Sequence, residues 1–136
     1  MGSPFVYLSR IRFVDTDASQ RIHYTAMFRH FEATEMEWLR DAGCPYSDPR
    51  LATVTFPRVH VECDFQSELH FDDLVTIALS IERIGRSSFT MAFAVTVDGK
   101  AAASGKIVVV CIDRATHRPV AIPEVLQEAL EARAVN

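Results

Sequence analysis

The chain lacks most of the features that mark out the common protein classes. Only three of its 136 residues are cysteine, Cys44, Cys63 and Cys111. They are odd in number, widely spaced and without a CxxC pair, which argues against a disulfide framework or a zinc knuckle and leaves them reduced and structural. Five glycines and six prolines are too few for a fibrous or disordered chain. No stretch approaches the ~18 uninterrupted apolar residues of a membrane span. Met1 to Arg12 lacks the charged start, apolar run and small-residue cleavage site of a secretory signal, so the expected location is the cytoplasm. Positive charge is also short: 14 Lys and Arg against 18 Asp and Glu give a net charge of −4, which argues against nucleic acid or an anionic membrane as partner. HExxH, G-x-S-x-G, P-loop and GxGxxG patterns are missing. His60-Val61-Glu62 echoes the H-x-E of zinc deaminases, but no Pro-Cys-x-x-Cys follows it. His23 and His30, seven apart, have no firm third ligand. No metal or redox cofactor is implied.

What is present suits one compact domain spanning residues 1–136. Hydrophobic residues make up 49% of the chain, with nine Phe, three Tyr and one Trp. A chain of this size buries about two-thirds of its unfolded surface, a thin core for so many aromatics, and assembly into an oligomer is expected on that ground. Phe5 to Val14 reads as a half-buried strand. After the turn-forming run Asp15 to Gln20, apolar residues Tyr24, Met27, Phe28, Phe31, Trp38, Leu39 and Ala42 recur at helical spacing, predicting an amphipathic helix of about five turns. It stops at Gly43, with Pro45 two residues on. Four β-like runs follow, Arg58 to Phe65, Asp73 to Ile84, Ser87 to Val97 and Lys100 to Ile112, with turns at Gly85 and Asp98-Gly99 that suggest an antiparallel meander. Glu124 to Arg133, preceded by Pro123, reads as a short terminal helix. The expected architecture is α+β: a curled five-stranded antiparallel sheet with the long helix packed across its concave side. If the opposite face is apolar, a second subunit is its natural cover, most commonly in a two-fold dimer.

The chemistry-bearing segment is Asp15 to Glu32, which sets two carboxylates just upstream of a helix N-terminus. Unpaired N–H groups there, around His23 to Thr25, can polarise a carbonyl oxygen, and a nearby carboxylate can attack it or deprotonate a water, as acyl transfer requires. From the residues alone, capping the turn and the helix is the commoner role for Asp15 and Asp17. The stretch Phe13-Val14-Asp15-Thr16-Asp17-Ala18, then Ile22-His23-Tyr24, Phe28, Phe31-Glu32 and Glu37-Trp38-Leu39-Arg40, resembles the signature of the hotdog-fold acyl-CoA thioesterases of the 4-hydroxybenzoyl-CoA thioesterase-like branch. The likeness continues through Ile84 to Phe89 and Val110 to Asp113, and into Arg118-Pro119 and Ile122-Pro123.

That resemblance implies a hotdog fold and hydrolysis of an acyl-CoA thioester to free acid and CoA without a cofactor. Asp17 is then the catalytic carboxylate, as nucleophile or general base, and Asp15 is structural. The thioester oxygen would face backbone N–H groups near Tyr24. His23, Tyr24 and Thr25 would shape the acyl pocket or orient Asp17, although His23 reads equally well as a surface residue. The family often has glycine in the turn after its second Asp, where this chain has Ser19-Gln20-Arg21. Ser19 or Gln20 would then bond the thioester or the water, and Arg21 a charged group. A local basic mouth for CoA would come from Arg83, Arg86, Ser87 and Ser88, with Lys100 and Lys106 on neighbouring strands. Arg58 and His60 line the pocket or face solvent. The expected assembly is a homodimer or a homotetramer (dimer of dimers), with the site formed between subunits. Two other readings are a thioesterase acting on acyl-carrier-protein substrates and a non-catalytic acyl-CoA-binding module.

Overall fold

The structure, a computed structural model, describes residues 2–135. In chain order it has strand β1 (Phe5–Arg10), helix α1 (Ala26–Asp41), strands β2 (Val54–Thr55), β3 (Arg58–Phe65), β4 (Leu74–Ile84), β5 (Ser88–Val97), β6 (Lys100–Val110) and β7 (Ile112–Asp113), and helix α2 (Glu124–Glu131). One-turn 3₁₀ helices lie at Phe13–Asp15 and Pro49–Leu51. Five strands form one antiparallel sheet in the order β1-β4-β5-β6-β3, and β2 pairs with β7 in a separate ladder.

The meander expected over all four runs holds for β4, β5 and β6 only. Asp98 and Gly99 both take positive φ, +50° and +77°, the pair of left-handed residues that a two-residue hairpin turn of matching twist needs. β3 instead lies beyond β6 at the far edge. The segment after it, residues 66–73, cannot turn it onto β4 because its backbone is engaged elsewhere. Gln66 and Ser67 donate to Ala102 O, Leu69 O accepts from Ile22, and Phe71 donates to Gln20 O.

The first strand ends at Arg10 rather than Val14. Ile11 donates to Asp73 O, and the Asp15 carboxylate accepts the Arg12 N–H at 2.8 Å, which closes the chain into a 3₁₀ turn. The long helix begins at Ala26, two residues later than its apolar spacing predicts, and Tyr24 is 71% exposed. Its 16 residues make about four and a half turns. It ends where expected: Gly43 takes φ +78°, and Cys44 N–H reaches back to Leu39 O.

Met27, Phe31, Trp38 and Leu39 of α1 are buried against alternate residues of the sheet, among them Ile77 and Leu79 on β4, Met91 and Phe93 on β5, and Ile107 and Val109 on β6. Phe31 stacks on Phe93 with ring centroids 4.4 Å apart. The outer face of the sheet, by contrast, carries small and polar residues such as Thr76, Ala78, Ser80, Ala92, Ala94 and Ser104. Exposed large apolar side chains lie on the two edge strands, Val6 and Leu8 on β1 and Val59, Val61 and Phe65 on β3, and also around the loop after β1, where Phe13, Val14, Tyr24 and Phe71 are exposed with Leu74 at the start of β4.

Candidate functional site

The loop between β1 and α1 carries both carboxylates of the motif, and folding gives them different environments. Asp15 is buried, with Oδ2 accepting from Arg12 N–H at 2.8 Å and facing His30 Nε2 at 2.9 Å, and Oδ1 accepting from Arg29 at 2.9 Å. Burial pushes its carboxyl up, but these three partners outweigh burial and hold it below the usual carboxylate value. Asp15 thus has no free acceptor aimed at a substrate.

Asp17 is exposed. Ser19 Oγ and Ser19 N–H both donate to Asp17 Oδ1, at 2.5 and 2.8 Å. These two bonds hold the carboxyl below its ordinary value, so it is ionised at neutral pH. Among the described residues Oδ2 has no hydrogen-bond partner, and a carboxylate oxygen in that state can act on water or on a carbonyl carbon. Asp17 N–H bonds Arg21 O, and Gln20 N–H bonds Asp17 O, forming a tight turn. Gln20 sits at φ +66°, so the conformation that favours glycine is kept although the residue is not glycine.

The donors expected at the helix start are reduced to one. His23 N–H is taken by Asp15 O at 2.7 Å, and Thr25 N–H by the His23 ring at 3.2 Å. Tyr24 N–H alone of the three has no acceptor among the described residues. His23 is half-buried, stacked on Tyr24 and bonded through Nδ1 to Thr25 Oγ1 at 2.8 Å. It orders the helix start and lies outside α1, so it shares no helix face with His30.

Next to the Asp17 turn, a groove of about 350 Å³ is lined by Arg21, Ile22, Phe65, Gln66, Glu68 and Leu69. Arg21 pairs with Glu68 across it at 3.0 Å. Arg83, Arg86, Ser87 and Ser88 do not join this site within one chain. β4 runs antiparallel to β1, with Arg10 opposite Leu74, so the β4–β5 turn lies at the other end of β4. Ten residue steps at about 3.3 Å separate the two ends of β4 by roughly 33 Å along the strand. Lys106 pairs with Glu82 at 2.9 Å, and Lys100 lies at the opposite hairpin from Arg86.

Two polar clusters inside the helix layer were not anticipated. His30 joins Ser9 to Asp15. Glu35 is fully buried, with Oε2 accepting from Arg58 at 2.7 Å and from Tyr46 at 2.6 Å. Helical spacing did hold the signal, because Glu35 lies four residues from both Phe31 and Leu39 and so falls on the apolar stripe. Arg58 therefore points inward to Glu35, whereas His60 stays exposed beside Glu62. Among the described residues no three His, Cys, Asp or Glu side chains gather to hold a metal, and no helix is long and apolar enough to cross a membrane.

Residues 11–130 match the family model described as the thioesterase-like superfamily. A 1,4-dihydroxy-2-naphthoyl-CoA hydrolase of Prochlorococcus marinus (strain MIT 9313) is 30% identical over 134 residues, covering 93% of this chain and 89% of that one. Among solved structures, a protein of Aquifex aeolicus superposes with a TM-score of 0.87 at 30% identity, covering 93% of this chain and 99% of the other. A gentisyl-coenzyme A thioesterase superposes at 0.82 with 28% identity, covering 92% and 98%. The sheet wrapped on α1 is thus the arrangement of solved hotdog thioesterases.

Proposed function

Since the chain belongs to the thioesterase-like superfamily and is a thioesterase, we propose that it hydrolyses acyl-CoA thioesters to the free carboxylic acid and CoA through Asp17. The observation that carries this reading is an exposed carboxylate held ionised by Ser19, with Oδ2 free, in the loop that leads to the open Tyr24 N–H. Asp17 attacks the thioester carbonyl to give an acyl anhydride that water then hydrolyses to the free acid, restoring the carboxylate, or it removes a proton from the water that attacks the carbonyl directly. Tyr24 N–H donates a hydrogen bond to the carbonyl oxygen as negative charge develops on it, and the CoA thiolate departs and is protonated by solvent. Ser19 sets the ionisation of Asp17, Gln20 holds the turn, and His23 and Thr25 fix the helix start.

The acyl group is aromatic in this reading, because two of the relatives at 28–30% identity are named for aryl-CoA esters, 1,4-dihydroxy-2-naphthoyl-CoA and gentisyl-coenzyme A. The groove beside Arg21, with Ile22, Phe65 and Leu69 on its wall, offers apolar surface for such a ring. Contact of Arg83, Arg86, Ser87 and Ser88 with the CoA nucleotide requires a second copy of the chain, since one chain holds them at the far end of the sheet from Asp17. A homodimer or dimer of dimers supplies that copy.

Thiol release from a panel of aryl and short, medium and long aliphatic acyl-CoA esters tests the reading, run on the parent and on Asp17→Asn. The expected result is turnover of at least one aryl ester and a loss of about 10²-fold or more in kcat for the variant, with fold and oligomer unchanged. Parental turnover by the Asn variant would remove Asp17 from the mechanism.

A further inference from the structure

A line of polar contacts beneath the loop takes no part in the chemistry above. Asp15 and His30 are 3% and 6% exposed, on the wall of a small cleft that they share with Tyr7, Ser9, Arg12 and Arg29. His30 Nε2 lies 2.9 Å from Asp15 Oδ2, and His30 Nδ1 lies 2.7 Å from Ser9 Oγ on β1. Asp15 also takes Arg29 from α1 and the Arg12 N–H from its own turn. On its main-chain side Asp15 O accepts the His23 N–H at 2.7 Å. One residue thus ties the sheet edge and the helix to the amide immediately before Tyr24.

The ionised Asp15 carboxylate only accepts, so Nε2 of His30 must carry the hydrogen it shares with Oδ2. At Nδ1 the Ser9 hydroxyl turns to suit the ring, donating to a neutral imidazole and accepting from a charged one. Both ring nitrogens are thus engaged, one toward β1 and one toward Asp15, which makes the arrangement a brace. The loop needs one. Asp17 to Arg21 are exposed, and their other main-chain anchors are the pairings of Thr16 with Ile22 and of residues 20–22 with 69–71. Misplacing a reacting group by 1 Å costs about 10²-fold in rate.

We infer that Ser9, His30 and Asp15 act as positioning residues, a buried brace that holds the Tyr24 N–H and the Asp17 turn in register with α1. This rests on the reading of Asp17 as the catalytic carboxylate. Removing the brace lowers kcat far more than it changes KM, because the reacting groups depend on it directly while Phe65, Gln66, Glu68 and Leu69 of the groove do not. A purely structural role would lower thermal stability alone.

The test uses the parent, His30→Phe, His30→Gln and Ser9→Ala, with kcat and KM measured on the ester the parent turns over best. Amide exchange at His23 is followed in parallel. His30→Phe is expected to lower kcat by about ten- to a hundredfold with KM within about threefold, and to speed exchange of the His23 amide while amides of β5 keep their protection. His30→Gln, whose amide N–H reaches Asp15, is expected to restore much of the kcat, and Ser9→Ala to show a smaller fall of the same kind. A folded His30→Phe with parental kcat and parental His23 exchange overturns the proposal. If His30→Phe does not fold, Ser9→Ala decides by the same two readouts. If the parent turns over no ester, the thioesterase reading fails, and the His23 exchange then decides the brace: faster exchange in the variants supports it, unchanged exchange overturns it.

Discussion

Ser19 shows how one side chain tunes the carboxylate proposed to react. Its hydroxyl and its N–H both close on Asp17 Oδ1 and hold the carboxyl below its ordinary value. Replacing Ser19 by Ala removes the larger of these two stabilising bonds, so the Asp17 value rises toward the usual one near 3.9. The acidic limb of the kcat/KM profile is expected to move to higher pH, and a pH–rate series on parent and variant checks the direction. Glu35 behaves in the opposite sense. Burial raises its carboxyl, against the attraction of Arg58 and the bonds from Arg58 and Tyr46. Arg58→Met would leave that carboxylate buried without its cation, with Tyr46 alone donating to it, at an expected cost of about 3–5 kcal/mol at pH 7 in urea denaturation. A raised folded value means that the stability linked to Glu35 is fully present below its unfolded value of about 4.3 and lost as pH rises through the folded one. The deficit of the variant should therefore shrink as pH falls from 7 toward 4. Asp17 could be picked out from the sequence by its place in a motif. The separation of Asp15 from Asp17 in burial could not, since it depends on His30 and Arg29 reaching across from α1.

Among the elements, β6 has to pass close to the helix at one point. A Cβ added to Gly105 would run into the Phe31 ring and lie 2.7 Å from Glu62 O on β3. The Phe31 ring cannot retreat, because it stacks on Phe93. Gly105→Ala is expected to destabilise the fold by about 1–3 kcal/mol, the usual cost of overpacking a filled core, read as a fall in melting temperature. Gly43 and Asp98-Gly99 were legible as boundaries because positive φ is a local demand that few residues meet. The start of α1 was not legible at Tyr24, because side-chain bonds between His23 and Thr25 hold the chain in a turn that apolar spacing does not record. Nor was the place of β3, because strand order depends on where residues 66–73 find partners for their backbone groups.

At the scale of the whole molecule one unanswered demand is at the sheet edges. Val61 and Phe65 of β3 are 48% and 43% exposed and, two by two along the strand, share a face with Cys63. An open edge strand of this kind invites pairing. Together with the distance between Asp17 and the Arg86 turn, it leads to the expectation of a species at least twice the 15.3 kDa chain mass in sedimentation equilibrium, and of dissociation on Val61→Lys with loss of turnover. A monomeric, fully active parent would contradict it. The chain by itself determined what local rules govern: strand and helix periodicity, glycine turns, and the motif that marks Asp17. The tertiary structure alone decided which carboxylate is buried, which N–H at the helix start stays open, and which basic groups lie out of reach. Those outcomes turn on contacts between residues far apart in the chain, such as Asp15 with His30 and Glu35 with Arg58, whose geometry exists only once the sheet has closed on the helix.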